Sequence, residues 1–395
     1  MATTDATGNA ALLEAARALG PQIQACADQI EQERQLPPLL VDALAAAGLF
    51  KLTVPKVLGG AEADADTLVR VIEAVASADG STGWCLMVPT QDGMMAGYFD
   101  EGTAREIFGR DPQAYVALVV APVGRAVVVD GGYRVTGRWR YASGCMHATW
   151  LGGRCVVYEG QAHTRGPDGD PLTRDMVMPA ADCRIIDTWH VTGLRETGSH
   201  DFVVEDAFVP QARSRLPGMA DPPRHTGTLY AFGIGVVPIT FAAVSLGIAR
   251  GAIDAFVALL TRPGSPKGPL RESALVHAQL GQAAMQLQAA RALLFETVHE
   301  VWEAVETTGP ITAEQRTVLT RASAHAAFVA AQVVEALWYA HGSSSIFTSN
   351  PLERRFRDAH TAAQRFSATV YVNAGQTLLG LEAVSRGRTG ASSPS

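Results

Sequence analysis

Two short stretches carry more chemistry than folding alone requires. The first is Arg138–Trp150, RWRYASGCMHATW. It begins with strand alternation, Trp139 and Tyr141 on one face, Arg138 and Arg140 on the other. It breaks at Ser143-Gly144 and passes Cys145, Met146 and His147 before reaching Trp150. Such a strand end suits a flat heteroaromatic ring. Ser143 and backbone groups would hydrogen-bond the ring's polar edge, and the tryptophans would form apolar walls. The plainer account is an aromatic β-core closed by a Ser-Gly turn, because aromatic residues are strand formers.

The second stretch is His341–Arg365, HGSSSIFTSNPLERRFRDAHTAAQR. Gly342, Ser343 and Ser344 offer small residues and donors, a cradle that suits phosphate. Asn350 caps a helix with Pro351 at its first position. That helix carries Arg354, Arg355, Arg357, Asp358 and His360. A capped amphipathic helix with solvated charges explains Arg354 well. It explains Arg357-Asp358 with His360 less well.

Other chemistries lack their motifs. GIGVV is not GxGxxG, and no Walker loop or GxSxG elbow occurs. The histidines stand apart, without metal-ligand spacing, so no metal is expected.

Three textures along the chain must position these stretches. Residues 9–112 read as helices, with LPPLLVDALAAAGLFKL opening on prolines and a break at Asp79-Gly80. Residues 113–222 are rich in Val and Tyr, with a hairpin turn at Asp130-Gly131-Gly132, and read as an antiparallel β-barrel or sandwich. Residues 223–385 are helical again, with Thr312 and Gln315 as a capping box, and residues 386–395 read as a disordered tail. Runs of helices, then strands, then helices indicate an α+β fold with segregated elements.

The chain has 395 residues, 47% of them hydrophobic and 18% charged. That composition suits two or three sub-domains, with surface buried in an oligomer. A net charge of −7 argues against nucleic acid or an anionic membrane as partner. Cys26, Cys85, Cys145, Cys155 and Cys183 are scattered without a CxxC, as expected of reduced thiols in the cytoplasm. Thr226–Ala249 carries no charge and is long enough to span a bilayer. Its glycines, its Pro238 and the continuation of the pattern to Arg250 and Asp254 favour a helix buried in a bundle or subunit interface.

Together these stretches resemble the acyl-CoA dehydrogenase family, and in particular its flavin-dependent, two-component monooxygenase branch. Four motifs carry the resemblance, in order: Val54–Trp84, Arg138–Trp150, Gly193–Pro210 (GLRETGSHDFVVEDAFVP) and Gly342–Gln364. The resemblance implies an N-terminal helical domain, a middle β-barrel and a C-terminal four-helix bundle. It also implies a homotetramer in which the Gly342–Ser344 segment reaches a neighbour's flavin. The cofactor implied is reduced FAD or FMN, delivered by a separate flavin reductase, with O2 as co-substrate. A flavin C4a-hydroperoxide would then transfer oxygen to an aromatic or polycyclic small molecule. Ser143 would face the flavin N5/O4 edge, with Trp139, Tyr141 and Gly144 beside it.

Three departures from the family pattern bear on the chemistry. The dehydrogenases' catalytic Glu would fall near Phe366, and an apolar ring cannot take a proton. Ser273-Ala274 stands where dehydrogenases carry Phe-Gln against the flavin pyrophosphate, which implies weak flavin retention. Arg365 occupies the place of the second histidine of many monooxygenases, and arginine cannot act as a base near neutral pH. His360 or another group, with His147 the other candidate, would then move protons, or Arg365 would stabilise an anionic substrate or peroxide, or the reaction would differ from phenol hydroxylation. A dehydrogenase acting on a carrier-linked acyl group and a non-catalytic relic of the fold are the alternatives.

Overall fold

The computed structural model describes residues 2–109, 111–262 and 268–381. The expected tail at 386–395 lies outside them. Five helices come first: α1 (Ala2–Glu33), α2 (Pro38–Ala46), α3 (Ala65–Ala78), α4 (Gly80–Asp92) and α5 (Glu101–Ala104). Pro37 and Pro38 open α2, where a missing N–H is harmless. The break at Asp79-Gly80 is a junction of two helices. Asp79 is extended, at φ −153°, and its carboxylate accepts from Thr82 N at 2.7 Å, which caps α4. A Cβ on Gly80 would press on Ile248 at 2.9 Å, so only glycine lets the central helix approach.

The middle region holds β1 (Val116–Val129), β2 (Gly132–Ala142), β3 (Trp150–Glu159), β4 (Ala162–His163), β5 (Thr173–Pro179), β6 (Arg184–Ile186), β7 (His200–Pro210) and β8 (Ser214–Arg215). They form one eight-stranded sheet in the order β6-β7-β2-β1-β3-β5-β8, with β4 on β3. The hairpin turns at Gly131, where φ is +76°. β1 pairs with β3 in parallel, unlike the wholly antiparallel arrangement expected, and the other pairings between named strands are antiparallel.

Seven further helices follow: α6 (Thr228–Phe232), α7 (Val236–Thr261), α8 (Gly268–Arg271), α9 (Ala274–Thr308), α10 (Ala313–His341), α11 (Pro351–Ala363) and α12 (Thr369–Leu378). α7 is the central rod, packed on α3, α4, α9, α10 and α11. By length and composition Thr228–Thr261 could cross a membrane, yet 78% of its most apolar window is buried inside the fold. Each fully buried Leu, Ile, Val or Phe there contributes about 1.5–3 kcal/mol. The Thr312–Gln315 capping box closes in both directions at the start of α10.

Candidate functional site

The four motifs meet around Ser143. Its position depends on the end of β2, where strand alternation fails. Trp139 pairs with Phe202 and Ala142 with His200, so β2 spends three steps where β7 spends two. This is a β-bulge, and it rotates the side chains that follow it. Trp139 therefore points inward and is fully buried, stacked on Phe202 at 4.9 Å, with Nε1 donating to Arg154 O at 3.0 Å. A Cβ on Gly124, Gly137 or Gly153 would overlap its indole ring. Trp139 thus has no face left for a ligand, and its expected place as a wall against a cofactor is corrected: it is β-core. Tyr141 turns the other way. It is 69% exposed, lies edge-on to Trp189, and holds a left-handed backbone at φ +67°.

Ser143 is half-buried and heads a chain of hydroxyl groups. Trp84 Nε1, from α4, donates to Ser143 Oγ at 3.0 Å. Ser143 Oγ lies 2.6 Å from Ser199 Oγ, which lies 2.6 Å from Thr197 Oγ1. Thr197 Oγ1 donates to Leu194 O at 2.8 Å. That carbonyl also accepts from Trp189 Nε1 at 2.9 Å, and Leu194 N donates to Asp358 Oδ1 on α11 at 2.7 Å. Gly144 folds under this chain at φ +73°, its N–H given to Thr197 O at 3.0 Å.

Above Ser143 stands an apolar wall. The Trp84 ring lies 5.2 Å from Phe241 of α7, and Phe241 meets Phe366 edge-on at 6.4 Å. The Arg365 guanidinium sits over the Phe241 ring at 4.7 Å. Phe366 therefore lines the wall where the dehydrogenases' acid would project. On β1 the register shifts between Val119 and Gly124, and Val120 and Val123 are left 53% and 59% exposed.

Beneath the hydroxyl chain lies a buried acid cluster. Glu196 is fully buried and hydrogen-bonded to Ser81 Oγ. Burial, then the nearby Asp79 charge, pushes its carboxyl up to about 7. Asp358 is raised in the same direction by burial and by Glu196. Arg355, beside them, donates to Ala78 O.

The histidines do not join the Ser143 chain. His147 packs against Tyr115 at 5.8 Å, and both ring nitrogens are enclosed without a hydrogen-bond partner among the described residues. Burial pushes its imidazolium down to about 4, so it is neutral at pH 7 and cannot serve as a general acid there. His360 lies two residues past Asp358, about 200° around α11. Its ring lies tilted against Phe356 at 4.2 Å, and its Nδ1 meets Phe356 O at 2.8 Å. A carbonyl only accepts, so Nδ1 carries the proton.

The arginines of α11 are ties rather than solvated charges. Arg354 pairs with Asp28 and Glu31 of α1, and Arg357 with Glu31 and Glu353. The Gly342–Ser344 segment lies at the end of α10. Gly342 and Ser343 are exposed there, and Ser344 Oγ meets His341 Nδ1 at 3.2 Å.

Sequence reasoning missed Trp84, Phe241, Thr197 and Ser199 as site residues, and it missed the buried Asp92 elsewhere in the fold. Trp84, Thr197 and Ser199 lay inside motifs read only as marks of the fold. Phe241 looked like any apolar residue of a core helix. Asp92, at the end of α4, accepts from Leu118 N at 2.8 Å just before the β1 irregularity. Burial pushes it up to about 8, so it carries a proton at neutral pH. No local signal distinguishes it from a surface aspartate.

The arrangement fits the polar edge of a flavin ring. Ser143 Oγ, held between Trp84 and Ser199, lies beside an apolar wall and two residues from a strained, exposed Tyr141. Among the described residues no three His, Cys, Asp or Glu side chains converge as a metal site needs.

Comparison with known proteins identifies the family. Residues 9–105 match the N-terminal domain of acyl-CoA dehydrogenase, and residues 239–369 match its C-terminal domain. The chain is 32% identical to indole-3-acetate monooxygenase of Pseudomonas putida over 92% of its own length and 95% of that protein's. It is 31% identical to the flavin-dependent monooxygenase oxygenase subunit HsaA of Rhodococcus jostii, over 87% and 91%. The structure of XiaF from Streptomyces, in complex with FADH2 and glycerol, superposes with a TM-score of 0.86 at 28% identity, over 97% of this chain and 98% of that one. The chain belongs to the acyl-CoA dehydrogenase family, within its branch of flavin-dependent monooxygenases.

Proposed function

We propose that this protein is the oxygenase component of a two-component flavin-dependent monooxygenase that hydroxylates or N-oxygenates an aromatic or polycyclic small molecule. The observation that carries this reading is the pairing of Ser143 with the Trp84–Phe241–Phe366 wall, in which Phe366 stands in place of the dehydrogenases' acid. Reduced FAD or FMN, delivered by a separate reductase, would supply two electrons and the centre at which O2 reacts. Ser143 Oγ would hold the polar edge of the ring, and Tyr141 would flank it. The aromatic wall would exclude water and pack a flat substrate. Arg365, above Phe241, would hold an anionic substituent of that substrate. The relatives' names support the class: one acts on indole-3-acetate, another is an oxygenase subunit.

We place the protein in the cytoplasm on the strength of its five free thiols. A homotetramer accounts for the exposed apolar residues Ile346 (61%) and Phe347 (62%) beside Gly342–Ser344, which would then face a neighbour's flavin. The test supplies a flavin reductase, NADH and O2 with a panel of aromatic acids and phenols. Oxygenated product formed in proportion to NADH consumed supports the reading. Hydrogen peroxide as sole product with every panel member, or yellow flavin that survives purification and is bleached anaerobically by acyl thioesters, contradicts it.

A further inference from the structure

The hydroxyl chain behind Ser143 has only one consistent direction. Leu194 O cannot donate, so the proton of Thr197 Oγ1 must point at it across 2.8 Å. Thr197 then has no proton for Ser199, so the 2.6 Å contact between them requires Ser199 to donate. By the same step Ser143 donates to Ser199 across 2.6 Å. Trp84 Nε1–H takes one of the two lone pairs of Ser143 Oγ. The reverse direction would leave Thr197 Oγ1 facing a carbonyl oxygen with no proton between them, which is repulsive. Ser199 and Thr197 are 3% and 2% exposed, so water cannot readily restore a lost partner. The half-buried Ser143 therefore presents one lone pair and no proton to whatever lies beyond it.

We propose that the Thr197–Ser199 chain makes Ser143 an obligate hydrogen-bond acceptor, and so makes the site prefer reduced over oxidised flavin. This rests on the proposed contact between Ser143 and the flavin N5 edge. Two-electron-reduced flavin carries N5–H, a donor, and matches the outward lone pair. Oxidised flavin presents N5 as an acceptor, and two lone pairs would then face each other. An oxygenase that receives reduced flavin and returns it oxidised gains a release signal from this arrangement. Thr197 and Ser199 act through Ser143 and are positioning residues.

The experiment measures dissociation constants of oxidised FAD and FMN aerobically, and of the dithionite-reduced forms anaerobically, by quenching of tryptophan fluorescence and by calorimetry. Thr197→Val and Ser199→Ala free the Ser143 proton to turn outward. Both should lower the ratio Kd(oxidised)/Kd(reduced) by about three- to tenfold, the worth of one neutral hydrogen bond. Thr197→Ser keeps the hydroxyl and should keep the ratio. A general loosening of the fold would move both constants together, and far-ultraviolet circular dichroism identifies a variant that has not folded. A ratio unchanged in a folded Ser199→Ala protein overturns the inference. If Ser143→Ala in addition leaves both constants unchanged, the flavin contact itself is wrong. If Ser143→Ala weakens reduced-flavin binding while Ser199→Ala leaves the ratio alone, the contact stands and only the chain's role falls.

Discussion

Trp84 Nε1 donates to Ser143 Oγ at 3.0 Å, across 59 residues of sequence. One hydrogen bond thus joins the helical N-terminal region to the end of β2, and it joins the apolar wall to the polar edge of the site. Trp84→Phe keeps a ring against Phe241 and removes the donor. Reduced-flavin binding should weaken about three- to tenfold, read by anaerobic titration, while the melting temperature changes little.

Arg365 lies over the Phe241 ring, at the wall rather than in the hydroxyl chain. Arg365→Gln should therefore leave flavin affinity unchanged. It should weaken binding of aromatic carboxylates about tenfold relative to their uncharged amides. Competitive titrations with matched acid and amide pairs measure the difference, and equal losses for both would contradict an anion-holding role.

The expected antiparallel β segment around Ser143-Gly144 was legible, and so was the turn itself. The fates of Trp139 and Tyr141 were not. Alternation put them on one face, but a single extra residue between Trp139 and Ala142 separates them, and a bulge depends on the partner strand rather than on local pattern. The arginines of α11 were equally opaque. Their partners Asp28 and Glu31 lie more than 300 residues away, on α1.

Trp139 fills the β-core between three glycines, which gives a stability test. Gly153→Ala places a methyl group on the indole ring, in a strand paired with β1 on one side and β5 on the other. It should destabilise the protein by about 1–3 kcal/mol, seen as a lower denaturant midpoint. Flavin affinity of the surviving folded fraction should stay close to wild type.

Glu196 makes stability depend on pH. Its carboxyl is raised to about 7 in the folded protein, above the ordinary carboxylate range. Between that ordinary value and about 7, the folded state holds a proton that the unfolded chain has released. Stability therefore falls as pH rises through this window and levels off above it. Glu196→Gln keeps a partner for Ser81 and removes the titration. It should flatten the profile and stabilise the protein by about 1–3 kcal/mol at pH 8, measured by urea unfolding across pH.

His147 should behave in the opposite sense. Its imidazolium is pushed down to about 4 by burial, so below the ordinary histidine range the unfolded chain takes a proton that the folded one refuses. Stability from this group is present near neutrality and lost as pH falls toward 4. In carbon–proton correlation spectra, one histidine ring should stay unmoved from pH 8 to 5.5 and should vanish in His147→Gln. A His147 ring that titrates near 6.5 would overturn its assignment as a buried neutral group.

By itself the sequence determined the order of helices, strands and helices, the caps at Asn350 and Thr312, the apolar character of α7, and the absence of a carboxylate at Phe366. These are local properties, set by periodicity and residue type along a few turns of chain. Tertiary structure alone decided which groups share the site. Trp84, Ser143, Thr197, Ser199, Phe241 and Asp358 come from separate segments, and packing around α7 and the β2 bulge brings them together. It also decided protonation. Whether Asp92, Glu196 and His147 hold protons depends on the water removed around them, and desolvation is a property of the assembled core.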